Sequence, residues 1–161
     1  MTAFFSSAWA QNDDLLSRIL EVNMPPVMEA SWHRVRHLPM LQDDLVSDGK
    51  IYLQQPDKIR WETLSPVQNV TVLSGQGQQG RFRLPQKKDF IAQVLEDRDY
   101  TVLLTPLRRD LKQIFDLLTL TVDRESLQIK QVLLRGAEGE WTLIEFSDIR
   151  HEALPASIFE K

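Results

Sequence analysis

Apolar residues in this chain recur mostly at every second position, in short runs broken by polar turns. Over residues 58–63 Ile59, Trp61 and Thr63 alternate with Lys58, Arg60 and Glu62. Successive strand side chains point to opposite faces, so this run has one apolar and one wet side, as a strand of a one-sided antiparallel sheet does. A partner strand precedes it, and Pro56-Asp57 between them has the chemistry of a tight turn. Further strands are predicted at 27–37, 70–73, 81–84, 100–104, 118–122, 126–134 and 141–146, with turns at 42–44, 123–125 and 136–139. The period becomes helical at 12–22, where Leu15, Leu16, Ile19 and Leu20 share a face. Asn12 is placed to cap that helix, Asp13 and Asp14 suit its positive end, and Pro25-Pro26 stops it. A second helix is predicted at 87–97 from Phe90, Ile91, Val94 and Leu95, and a short one within 107–117 from Leu107, Leu111, Ile114 and Phe115. Strands dominate and hairpins join them: the class is α+β with one large antiparallel sheet and helices able to lie over one face.

Length and charge narrow this picture. The 161 residues suffice for one domain with a real core. Nineteen basic against 23 acidic side chains give a net charge of -4 with no charge run, so no nucleic-acid partner is expected. The absence of cysteine excludes disulfides, thiolate metal sites, a cysteine nucleophile and lipid attachment through cysteine. No apolar run reaches the roughly 18 residues of a membrane span. Residues 1–10 end in Ala8-Trp9-Ala10, a small-x-small pattern like a signal-peptidase site. They read as the remnant of a signal peptide, leaving 11–161 as a single periplasmic domain.

Candidate chemistry is thin. Gly75, Gly77 and Gly80 spell G-x-G-x-x-G, but the loop leads into strand-like residues and Pro85, not the helix that holds a dinucleotide's pyrophosphate. His33 and His37 are spaced like a helical metal pair but fall on a predicted strand, with no third ligand. The acidic pairs sit at turns and helix starts, without the apolar setting that tunes a carboxylate for acid–base work. No catalytic, cofactor or metal residue is therefore expected, and the chain reads as a binding protein, not an enzyme. The large apolar residues carry more. Trp32, Tyr52, Ile59, Trp61, Leu95, Phe115, Trp141 and Phe146 are read either as ordinary core or as the lining of an apolar cavity under a curved sheet.

Several runs together point to a family. Glu29-Ala-Ser-Trp-His-Arg-Val-Arg36, Gly49-Lys-Ile-Tyr-Leu-Gln-Gln-Pro56, Ile59-Arg-Trp61 and Pro66 come first. Tyr100-Thr-Val-Leu-Leu-Thr-Pro106, Leu111-Lys-Gln-Ile-Phe115, Leu120-Thr-Val-Asp123 and Gly139-Glu-Trp-Thr-Leu-Ile-Glu-Phe146 follow. In order and spacing these resemble the periplasmic outer-membrane lipoprotein carrier (LolA-like) proteins. The resemblance implies an incomplete, curved antiparallel β-barrel, a half-barrel whose concave face is covered by helices and whose apolar cavity takes the acyl chains of lipoproteins. It also implies partners: acylated lipoprotein or lipid cargo, an inner-membrane transporter that releases it and an outer-membrane acceptor. A non-transport lipid- or protein-binding module on the same fold is the alternative. The acceptor is tethered through a lipidated cysteine that this chain lacks, so the soluble-carrier role fits better. Two departures stand out against the resemblance. Gln55 occupies the position where the best-studied carriers keep a basic residue that latches the helical lid, and the stretch between Val70 and Tyr100 is shorter than is usual in the family.

Overall fold

Alternating apolar positions fold into a nine-stranded sheet, entirely antiparallel and not closed on itself. The computed structural model describes residues 2–75, 86–96 and 98–160, with side chains from residue 13 onward. Helix α1 (Thr2–Asn23) leads into strands β1 (Val27–His37), β2 (Leu45–Gln54), β3 (Lys58–Ser65) and β4 (Asn69–Ser74). After a 3-10 turn at Lys87–Asp89 come β5 (Phe90–Glu96) and β6 (Tyr100–Pro106). The four-residue α2 (Arg109–Lys112), β7 (Leu117–Val122), β8 (Ile129–Arg135) and β9 (Trp141–Arg150) complete the sheet. In space the order is β4-β3-β2-β1-β9-β8-β7-β6-β5. Two meanders are thus joined through the long β1–β9 pair, where Trp32 faces Phe146 and Arg34 faces Ile144. The architecture is the α+β, incomplete curved barrel expected.

Four sequence expectations are corrected. The segment 87–97 is not a helix: β5 occupies it, because Phe90, Ala92 and Val94 turn to one face while Ile91, Gln93 and Leu95 turn to the other. Apolar residues on both sides of this strand imitate the helical period. Helix α1 does not start at Asn12, which lies inside a helix already running from Thr2. The helix of 107–117 shrinks to α2 alone. The last strand continues past Phe146 to Arg150. The strand expected at 81–84 and residues 76–80 of the glycine loop before it lie outside the described residues.

Pro25 and Pro26 end α1, whose last backbone bond runs from Met24 N to Leu20 O (2.8 Å). The helix buries Leu16 and Ile19 against Val102 and Leu104 of β6 and Leu120 and Val122 of β7. The face of the sheet that receives it is the inner face. A second apolar cluster lies further along that face, built from Ala30, Trp32, Ile51 and Ile144, and Val132 of β8 touches both.

Candidate functional site

The site begins with parity. On β1, β2 and β3 the inner positions are Ala30 and Trp32, then Ile51 and Leu53, then Ile59 and Trp61. Trp32 and Trp61 belong to strands separated by β2, yet their rings stack with centroids 4.6 Å apart. They meet over Gly49, which has no side chain to hold them apart: a Cβ there would lie 2.5 Å from Trp32 Cζ2. Arg34 approaches the same indole, its Cζ 5.2 Å from the ring, and its Nε donates to Ser47 Oγ (3.0 Å). Burial first, and then the neighbouring Arg36, lower the Arg34 pKa from its ordinary value. Trp32 is only 2% exposed, and its Nε1 is a buried donor without an acceptor.

The other half of the inner face is the half that α1 covers. Between the helix and the edge strand β5 lies an open cavity of about 930 Å³ that follows β5 around the sheet edge: Leu16, Phe90, Ala92 and Val94 line it from the inner face and Ile91 and Gln93 from the other, with Asp13, Gln86, Lys87 and Lys88 at its polar margin. That volume is at the upper end of ordinary small-molecule pockets. Phe115, buried after α2, stacks behind Phe90 at 6.4 Å.

Among the described side chains of α1, most of the polar ties lie at its C-terminal end. Asn23 Nδ2 donates to Ile19 O (2.8 Å) and to Leu127 O (2.7 Å), while Asn23 Oδ1 accepts from Ile129 N (2.8 Å). Gln55 Nε2 donates to Met24 O (3.2 Å), the first carbonyl beyond the helix. Midway along the helix, Lys87 pairs with the Asp13 carboxylate and donates to Ser17 Oγ (3.2 Å).

Of the residues singled out in the sequence, Trp32, Ile59, Trp61 and Phe146 share the second inner cluster, and Phe115 stands at the far end beside Phe90. Tyr52, Leu95 and Trp141 do not belong to the inner face. Tyr52 is set opposite Glu29 and Arg60 on the outer face, with the same parity as Lys50 and Gln54. Leu95 follows Ile91 and Gln93 outward and is 45% exposed. Trp141 stacks on His37 at 5.3 Å, beside the outer His37–Asp44 pair. Phe90, Ala92, Val94 and Asn23 were not foreseen. Parity along 90–94 carries the signal for the first three; nothing local marks Asn23, whose partners outside α1 are over 100 residues away.

An open antiparallel sheet with an apolar inner face, a helix over part of it and a cavity between that helix and the edge strand has the form of a container, with no cluster of metal-binding side chains among the described residues. Solved structures agree on the fold. A LolA superfamily protein from Nitrosomonas europaea superposes with a TM-score of 0.58 at 12% identity, covering 92% of this chain and 97% of that one. A candidate outer membrane lipoprotein-sorting protein domain from Vibrio parahaemolyticus gives 0.52 at 9% identity, covering 91% and 95%. The MucA/MucB complex of Pseudomonas aeruginosa gives 0.50 at 17% identity, covering 89% of this chain but 58% of that chain. The chain thus shares the LolA-type fold; at these identities the likeness is one of fold alone. No protein-family model and no curated protein sequence matches the chain.

Proposed function

We propose that the protein is a periplasmic carrier that binds acyl chains, of lipoproteins or of another acylated lipid, against the inner face of its open sheet. The observation that carries this reading is the cavity of about 930 Å³ between α1 and β5, with Phe90, Ala92 and Val94 on its inner side, beside an apolar cluster that shares Val132 with the Trp32–Trp61 cluster. Burying an acyl chain contributes roughly 0.8 kcal/mol per CH₂, about what a membrane also offers, so a container with an adjustable cover can both take and release it. Asn23, Gln55 and Lys87 hold that cover, Gln55 with a neutral amide that lacks a guanidinium's charge and extra donors. No helix among the described residues is long and apolar enough to cross a membrane.

The test is displacement of a neutral hydrophobic fluorophore by fatty acid. Wild type is expected to release the dye, and Phe90→Asp and Trp61→Asp to lose binding at least about tenfold while circular dichroism stays native. If variants that keep their folded spectrum bind as wild type does, the two clusters are only core. A protein-binding module is the second reading, supported by the fold shared with MucB in its complex with MucA. It expects co-purification of a protein partner and no lipid uptake.

A further inference from the structure

The outer and inner faces of the sheet treat charge differently. On the outer face, basic side chains of β1–β3 meet acids: His33 with Asp48 (2.6 Å), His37 with Asp44 (2.8 Å), Lys50 with Glu29 (4.0 Å) and Arg60 with Glu62 (3.3 Å). On the inner face Arg34 and Arg36 follow Trp32 along β1, and the pairing register sets no acid against them. Arg34 faces Ser47 on β2 and Ile144 on β9; Arg36 faces Leu45 and Thr142. Among the described residues neither arginine has a carboxylate partner, in a protein whose net charge is -4. A guanidinium stays charged, so the two side by side, Arg34 half-buried over an indole and Arg36 exposed, form a cationic patch suited to an anion. Serine accepts one of Arg34's five donors; the fork geometry of the rest suits a carboxylate or a phosphate. The buried Trp32 Nε1 beneath is a further donor without an acceptor. Directly beside this cationic end lies the apolar floor of Trp61, Ile144 and Phe146.

We infer that the cargo is an anionic amphiphile, its acyl chain laid on this floor and its carboxylate or phosphate head held by Arg34 and Arg36. The inference rests on the acyl-binding reading and deepens it by naming the head-group chemistry.

Three chain-matched competitors, each below its critical micelle concentration, test it against a neutral fluorophore bound to the full chain: laurate, dodecyl phosphate and uncharged monolauroylglycerol. At least one of the anions is expected to displace the dye at about tenfold lower concentration than the neutral ester, in keeping with a charge-assisted contact. Added salt should narrow that gap, and Arg34→Gln should close it. Which anion shows the larger gap assigns the head group as carboxylate or phosphate. Equal potency of all three toward wild type overturns the inference and leaves acyl binding standing. No displacement by any of them overturns the acyl-binding reading itself. A gap that survives in the Arg34→Gln, Arg36→Gln double variant overturns the placement of the head group. Should those variants fail to fold, the wild-type gap and its salt dependence still decide.

Discussion

A Cβ placed on Gly49 would stand 1.9 Å from Glu62 O and within 2.8 Å of two Trp32 ring atoms. The backbone carbonyl cannot move without breaking the β2–β3 ladder, so Gly49→Ala is expected to destabilise the fold by about 3 kcal/mol, the upper part of the overpacking range. The paired excitation of two stacked indoles in the near-ultraviolet circular dichroism should fade with it. An alanine variant with unchanged denaturation midpoint and an intact indole couplet would contradict this account of the floor. Parity made part of this site readable: Ile59 and Trp61 alternate with Lys58, Arg60 and Glu62, and they do turn inward. The same rule, applied to Tyr52 between Ile51 and Leu53, turns it outward, as it does Leu95 and Trp141. Aromatic or aliphatic character selected those three, and character without parity does not choose a face. That Trp32 and Trp61 touch across an intervening strand depends on the β2 register, which no local pattern encodes.

At the scale of elements, the described side chains of α1, from residue 13 onward, fasten it unequally. Its C-terminal fastening uses the turn between β7 and β8, where Asp123 Oδ1 accepts from Glu125 N (3.0 Å) and Ser126 N (2.8 Å) and Leu127 sits at φ 61. A left-handed leucine costs of order 1–3 kcal/mol and persists only where its surroundings over-determine it. Here its side chain is buried in the α1 cluster and its carbonyl accepts from Asn23. Asn23→Ala removes both cross-connections and leaves Ile129 N without that acceptor, so a loss of about 2 kcal/mol is expected. Lys87→Ala removes an exposed pair and should cost under about 1 kcal/mol. Amide exchange should separate the two: Asn23→Ala speeds exchange along residues 16–23, whereas Lys87→Ala acts near residues 13–17 only. Equal protection in both variants would mean that apolar packing alone holds the helix. The helix itself was legible from Leu15, Leu16, Ile19 and Leu20. β5 was not, because an edge strand with apolar residues on both sides satisfies the helical period as well as its own.

For the whole molecule, the open sheet has two inner clusters under different cover. One is closed by α1 with a cavity beside β5; in the other, no side chain of α1 from residue 13 onward is packed. The α+β class and the single large antiparallel sheet were legible because hairpin punctuation and strand alternation repeat along nearly the whole chain; the half-barrel was implied only by the resemblance to the lipoprotein carriers. The location of the cavity was not, since it depends on strands remote in sequence meeting one helix. Photo-crosslinking with a fatty acid that carries a diazirine along its chain, followed by peptide mapping, examines the central claim most directly. The account predicts label on inner-face residues, at Leu16 and Phe90 beside α1 and at the partly buried Trp61 and Phe146 of the other cluster, competed away by unlabelled fatty acid. Label confined to outer-face Tyr52, Leu95 or Trp141, or no label that competitor removes, would contradict it.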